Sequence, residues 1–374
     1  GETLSQEPGL SSTYFGPVSS RPVIRGQFGE RVRVLTNGLD SLDASAFSED
    51  HQVTVEGLLA DRIEIIRGPA TLLYGSGAAG GLVNVVDTRF VRNVPGVPFA
   101  GGVALGGDTA VGNRDIAARA QFGSGSIVFN ADYFLRSTDN VEIPGFAESA
   151  ILREQEEAEG GGDESGEEEA FGIVENTDSD TDGGAAGLSF IGDRGFFGVS
   201  ISTFNSKYGI PGHHEHAEEA PQPGPPVEEE EAVRIDLEQV RVDSIGEWAL
   251  DGNLLSGIRF RAAVNDYEHV ELEGAETGTI YDVQGFDGRL ELRHSLLGDR
   301  LEGAVGMQIK SVDFDAIGDE AFIPASDTER LSIFVFEEYV LTDAWSLQGS
   351  ARFENQSIKG STLAQDYDDG AFGA

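Results

Sequence analysis

From about residue 99 onward the chain alternates apolar and polar side chains one by one. Ile127, Phe129, Ala131, Tyr133 and Leu135 interleave with Val128, Asn130, Asp132, Phe134 and Arg136. Leu301, Gly303, Val305, Met307 and Ile309 interleave with Glu302, Ala304, Gly306, Gln308 and Lys310. Successive side chains of a strand point to opposite faces, so each such segment has a greasy side and a wet side. Short turns are expected near 109–113, 123–125, 192–195, 251–253, 297–299 and 342–344. Longer, more acidic connections fall at 139–183, 208–232, 273–279 and 316–327. About eleven strands are expected between residues 99 and 360. Amphipathic strands joined by alternating short turns and long loops predict a transmembrane antiparallel β-barrel. The alternation alone also leaves a soluble all-β sandwich open.

Charge narrows the partners. The chain has 25 Lys and Arg against 66 Asp and Glu, a net charge of −41. Nucleic acid needs a basic footprint and is excluded as a partner. The excess concentrates in two stretches. Residues 154–182 hold thirteen acids and residues 208–231 hold seven, neither with a Lys or Arg. Loops 139–183 and 208–232 are therefore expected to be mobile and acidic. The absence of cysteine removes disulfides, thiolate catalysis and thiolate metal ligands. Any transition-metal site must use His and carboxylates.

Residues 1–92 read differently. Short apolar strands at 32–35, 63–66 and 82–86 are separated by Gly-rich turns, as in a small mixed α/β domain. Gly75-Ser76-Gly77-Ala78-Ala79-Gly80 matches G-x-G-x-x-G. A dinucleotide site needs a preceding strand, a following helix and an acid about 20 residues on. A strand-like 82–86 follows instead and no acid lies near position 100, so close backbone turns explain the glycines.

The wider stretch carries more. Arg62-Ile63-Glu64-Ile65-Ile66-Arg67-Gly68-Pro69, continuing through Tyr74-Gly75 to Gly80-Gly81-Leu82-Val83-Asn84, resembles the plug-domain signature of TonB-dependent outer-membrane receptors. Arg21-Pro22-Val23-Ile24-Arg25-Gly26 and Val32-Arg33-Val34-Leu35-Thr36-Asn37-Gly38 resemble earlier parts of the same plug. The resemblance implies a mainly β fold, with a small N-terminal α/β plug (1–92) inside an antiparallel transmembrane barrel of 22 strands in full. Residues 99–374 would be its first half. It implies a place in a bacterial outer membrane, surrounded by its lipid. It also implies a TonB partner in an inner-membrane motor, pulling on a TonB box ahead of Gly1. Both chain ends read as truncations, and an open half-barrel with bare edge strands is expected to aggregate. Arg62, Glu64 and Arg67 would pair with the barrel wall.

The histidines address the cargo. His213, His214 and His216 fall within four residues of an acidic loop, and imidazole suits Zn²⁺, Cu²⁺ and Ni²⁺. Asp50 and His51 are adjacent in a plug loop and supply two zinc-type ligands. On the stretch 258–273, Ile258, Phe260, Ala262 and Val264 form the lipid side. The opposite face carries Arg259, Arg261, Asn265, Tyr267, His269, Glu271 and Glu273. His269 and Glu271 are two apart and share the lumen face. Glu291 is lumenal too, whereas His294 falls on the lipid face and is not a ligand. Asp178-Ser179-Asp180-Thr181-Asp182-Gly183 resembles the start of a calcium loop, but Ser189 stands where the twelfth-position Glu belongs.

The Asp50-His51 pair, the His-rich loop and the following Arg234-Ile235-Asp236-Leu237-Glu238-Gln239 run look similar to the zinc-uptake branch of the family. By that resemblance the loop collects Zn²⁺ and a plug–barrel site of Asp50, His51, His269 and Glu271 holds it before transport. The alternative is a receptor for a siderophore, haem or another metal complex. No Ser/His/Asp array or Cys nucleophile stands out, and the paired carboxylates lie in loops where burial cannot tune them. No catalytic or cofactor-binding residue is expected, and Zn²⁺ is cargo rather than catalyst.

Overall fold

A computed structural model describes residues 2–159, 170–211, 232–252, 254–274, 276–318, 321, 323–360 and 367–373. The N-terminal part holds β1 (Leu10–Ser12), β2 (Pro22–Ile24), β3 (Val32–Thr36), β4 (Leu39–Asp40), β5 (Ala60–Ile66) and β6 (Gly81–Asp87). The last four form a sheet in the order β4-β3-β6-β5, with β3 parallel to β6. β-branched residues favour the pleated surface. Val32, Val83 and Val85 bury their side chains against Leu4, Leu10 and Ile24, while Ile63 and Ile65 cover the rim of that core. The glycines of 75–81 serve tight packing. A Cβ on Gly80 would sit 2.9 Å from the Arg31 carbonyl oxygen, and Gly81 has φ +133. The helix a nucleotide fold requires is replaced by β6.

The remainder is one antiparallel wall. Its strands are β7 (Phe99–Gly107), β8 (Arg114–Ser124), β9 (Ile127–Thr138), β12 (Ser179–Gly192), β13 (Gly195–Gly209) and β14 (Val233–Ala249). They continue as β15 (Gly257–Glu273), β16 (Glu276–Leu296), β17 (Leu301–Gly318), β18 (Ser326–Thr342), β19 (Trp345–Gly360) and β20 (Tyr367–Gly373). Each pairs with its neighbour in that order, giving a 12-stranded sheet with β7 and β20 at its edges. Eleven of these strands lie between residues 99 and 360, as the alternation predicts. β10 (Val141–Phe146) pairs with β11 (Phe171–Val174) beyond the end of the wall.

The period-two pattern sets what faces inward. Phe134, Phe204, Tyr208, Leu237, Tyr267, Val283 and Phe314 of the wall close on Ala44 and Leu59 of the plug. The other face is an apolar band. On β15 it carries Ile258, Phe260, Ala262 and Val264, and on β18 Val335, Ile333 and Leu331; Val264 and Ile333 are exposed. Such a face belongs in hydrocarbon.

Above the band the outward residues turn acidic. Glu238 sits directly opposite Glu268, Glu268 opposite Asp282, and Asp282 opposite Asp315. Like charges placed directly across a ladder repel. Asp282→Asn is therefore expected to stabilise the folded protein by about 0.5 kcal/mol at low salt. The gain should shrink as ionic strength rises. Denaturant titrations at two salt concentrations check this, and a destabilised variant would contradict it.

Polar contacts dock the plug on the wall. Lys310 Nζ lies 2.5 Å from Asp40, which also pairs with Arg33. Burial alone would raise the Asp40 carboxyl, but Lys310 and Arg33 hold it well below the ordinary carboxylate range. Arg352 Nη1 donates to the Leu73 carbonyl oxygen at 3.0 Å, and Arg289 donates to the same oxygen. Ser76 donates to Glu354 at 2.9 Å.

Five expectations change here, the first being the longer 273–279 connection, since β15 runs to Glu273 and β16 begins at Glu276. The 109–113 turn lies at the end of the wall that carries the long loops, because antiparallel strands send alternate connections to opposite ends; Asp139 N donates to the Val111 carbonyl oxygen at 2.8 Å. The stretch 139–183 is not wholly irregular, since β10, β11 and α1 (Ala150–Glu159) occupy part of it. The calcium-like run is mostly strand. Asp180 and Asp182 point outward, Ser179 and Thr181 inward, and Asp178 binds Arg234 through two contacts of 2.8 and 2.9 Å. Arg62 pairs with Glu64 at 2.7 Å within the plug. Arg67 donates to the Pro8 carbonyl oxygen at 3.4 Å. β5 is an edge of the plug sheet.

Candidate metal centre

Strand alternation aims Tyr267, His269 and Glu271 of β15 into the lumen, and all three are buried. The plug segment after β4 meets them. Asp43 caps the short turn Ala44–Ala46, accepting from Ser45 N at 3.2 Å, and reaches Thr54 N at 3.1 Å. That closes a loop around His51. On the wall, the Tyr208 hydroxyl bridges the two peptides flanking His51. It accepts from Gln52 N at 3.0 Å and donates to the Asp50 carbonyl oxygen at 3.0 Å. His51 is thereby pressed into the lumen at 2% exposure.

Three donors converge. His51 Nε2 lies 3.3 Å from Glu271 Oε1, and His269 Nε2 lies 3.6 Å from the same oxygen. One ligand atom from each of the three residues falls within 4.8 Å of the others. Among the described residues this is the one such group of three or more. The two imidazoles lie with centroids 4.3 Å apart and planes tilted by 58°, and Tyr281 packs edge-on against both.

The hydrogen-bond pattern is compatible with a cation. A backbone carbonyl can only accept, so His51 Nδ1, 3.1 Å from the Ala44 carbonyl oxygen, carries the proton. His51 Nε2 then faces the Glu271 carboxylate, a contact that a second ring proton or a cation between the two can bridge. His269 Nε2 and Glu271 Oε2 are buried with no hydrogen-bond partner among the described residues. Leaving such atoms unmatched is costly. A tetrahedral ion with bonds of about 2.0–2.1 Å has ligand-to-ligand edges of about 3.3–3.4 Å. The 3.3 and 3.6 Å separations are of that size.

The sequence-derived donors divide. His51, His269 and Glu271 meet. Asp50 is not among the converging donors; its carboxylate accepts from the Ser48 hydroxyl. His213, His214 and His216 lie outside the described residues. Glu291 is lumenal but serves arginines, lying 2.5 Å from Arg289 and 3.3 Å from Arg261. His294 lies on the outward face, 3.0 Å from Glu337. Tyr267 was not singled out from the sequence as a member of the centre, although its position two before His269 places it on the same face. Ala44 acts through its backbone, for which no residue type is a signal.

Residues 1–82 match the family model described as TonB-dependent Receptor Plug Domain. Several solved structures share the fold of the whole chain. A structure described as "Copper transporter OprC" superposes with a TM-score of 0.74 at 15% identity, over 99% of this chain and 57% of that one. The FrpB iron transporter from Neisseria meningitidis (F3-3 variant) gives 0.72 at 11% identity, over 99% and 57%. The alcaligin outer-membrane receptor FauA from Bordetella pertussis gives 0.64 at 15% identity, over 99% and 55%. The chain thus spans a little over half the length of the chains it matches. A plugged antiparallel wall with an apolar outer band is an outer-membrane structure. Residues 1–82 thus match a TonB-dependent receptor plug domain, set against part of an antiparallel β-barrel wall.

Proposed function

We propose that this chain is the plug and first barrel half of a TonB-dependent outer-membrane importer whose cargo is Zn²⁺. The observation that carries the reading is the split ownership of the centre. His51 belongs to the plug, whereas His269 and Glu271 belong to the wall. Any displacement of the plug by a TonB partner takes one ligand away from the other two, which is how a buried site releases an ion it holds tightly. Residues 1–92 and 99–374 act as the moving and fixed parts. The His213, His214 and His216 loop, together with Asp50, would raise the local supply of the ion before it reaches the centre.

The donor set supports zinc over cuprous copper. Cu(I) favours thiolate and thioether ligands. The chain has no cysteine, and its one methionine, Met307, stands on the outward face. Two imidazoles and one carboxylate, with a fourth position open, suit Zn²⁺. Cupric ion binds such donors more tightly still, so supply decides between the two.

A second reading is import of an organic metal complex. A cavity of about 580 Å³ between the plug and the first wall strands, lined in part by Tyr14, Val18, Gln52, Arg136 and Thr138, has the size of a small-molecule site. The chain's charge of −41 opposes anionic complexes. Radioactive zinc accumulation by cells expressing the full-length receptor separates the readings. Glu271→Gln should reduce it to the level of cells without the receptor. Unchanged zinc accumulation would pass the case to the complex.

A further inference from the structure

Both imidazoles of the centre are steadied by one residue of the plug. The Ala44 carbonyl oxygen accepts from His51 Nδ1 at 3.1 Å. The Ala44 backbone also hydrogen-bonds the Tyr267 hydroxyl. That hydroxyl meets His269 Nδ1 at 3.0 Å. For either Nε2 to offer a lone pair to an ion, its ring must keep a proton on Nδ1 and find an acceptor there. Ala44 provides the acceptor directly for His51. Its backbone N–H donates to the Tyr267 hydroxyl, which accepts from His269 Nδ1 when that ring carries its proton there.

The segment bearing Ala44 is held from outside. Arg241 Nη1 donates to the carbonyl oxygens of Asp40 at 2.7 Å and Ser41 at 3.0 Å. Asn265 Nδ2 donates to the Leu42 carbonyl oxygen at 2.8 Å. Leu42 itself sits at φ +57, a left-handed conformation that leucine rarely adopts. Its buried side chain is seated where Gly285 leaves room; a Cβ there would lie 3.1 Å from Leu42 Cδ2. Strain of this kind persists only while the surroundings enforce it. Wall side chains therefore hold residues 40–42 in a conformation they would leave if freed, and Ala44 follows within two residues.

We propose that residues 40–46 form the release lever of the centre: displacing them withdraws Ala44 from both imidazoles at once, so the ion loses two oriented ligands in one movement. This deepens, and rests on, the zinc-import reading of the same centre. Tyr267 and Ala44 are positioning residues, and neither needs to touch the ion.

The test uses the full-length receptor in detergent. Tyr267→Phe removes the hydroxyl that links Ala44 to His269 and leaves all three ligands in place. Zn²⁺ affinity from chelator competition should weaken about 10- to 100-fold, the usual cost of losing an outer partner of a metal-bound histidine. Dissociation should quicken correspondingly, and the visible spectrum of bound Co²⁺ should change. Asn265→Ala, which frees Leu42, should also quicken dissociation. Ser76→Ala, which loosens the plug elsewhere, should leave dissociation and the Co²⁺ spectrum as they are. If Tyr267→Phe does not fold, Asn265→Ala decides alone. If both variants keep the native dissociation rate and Co²⁺ spectrum while His51→Ala loses the ion, the lever is wrong and the centre stands. If His51→Ala and Glu271→Gln bind Zn²⁺ like the native receptor, the import reading fails and the lever with it.

Discussion

Zinc affinity falls by more than about 100-fold when His51 is replaced by alanine in the full-length receptor, since losing a ligand outweighs losing an outer partner. That factor corresponds to at least about 2.7 kcal/mol. His51 is the plug's sole contribution to the three converging donors. Without it, His269 and Glu271 remain as two wall ligands, too few for a tight site. Glu271→Gln should act similarly, because it removes the negative charge facing both imidazoles at 3.3 and 3.6 Å. Replacing His213, His214 and His216 together should remove only weak sites, since ordering a loop around an ion opposes binding. Isothermal titration of the three variants reads this directly. A loop variant that loses the tight site, with His51→Ala unaffected, would reverse the assignment.

Glu291→Ala should lower the unfolding free energy of the folded receptor by about 3–5 kcal/mol, the range for breaking a buried charge network on one side. Glu291 is 5% exposed and faces three guanidinium groups. Arg289 lies 2.5 Å away, Arg261 3.3 Å and Arg259 3.6 Å. Removing the carboxylate leaves three like charges gathered in the lumen. Arg289 is also the group that grips the plug. It donates to the Leu73 carbonyl oxygen and lies over the rings of Tyr74 at 4.7 Å and Phe334 at 4.0 Å. The loss should therefore appear as plug loosening as well as barrel destabilisation. Arg62→Ala is the contrast. Its pair with Glu64 is half in solvent, and exposed pairs contribute about 0–1 kcal/mol. Denaturant unfolding of both variants measures the difference. Equal effects would mean that the lumen arginines are not held as described.

The wall was largely legible because side chains alternate along a strand and few register shifts interrupt its ladder. Reading Ile258, Phe260, Ala262 and Val264 as one face assigns His269 and Glu271 to the other, and both are buried there. The same rule places His294 outward. What alternation cannot supply is which residue of a loop points in. Asp50 and His51 are adjacent, and only His51 turns to the donors, because the Tyr208 hydroxyl fixes the peptides on either side of it. Nor can it supply the meeting of positions 51 and 269, which depends on how the plug seats in the wall. The docking contacts that the described residues show are elsewhere than the motif charges. Arg62, Glu64 and Arg67 were charged and in a recognisable motif, but they lie on or beside the edge strand β5. The contacts run instead through Asp40, Leu73 and Ser76. Two of the decisive atoms, the carbonyl oxygens of Ala44 and Leu73, belong to the backbone, and no residue type announces them.

Crystals of the full-length receptor soaked in zinc and measured at the zinc absorption edge test the central claim most directly. The account predicts one strong anomalous peak within about 2.0–2.2 Å of His51 Nε2, His269 Nε2 and a Glu271 oxygen. A well-ordered lumen with no anomalous peak among these three side chains would contradict it.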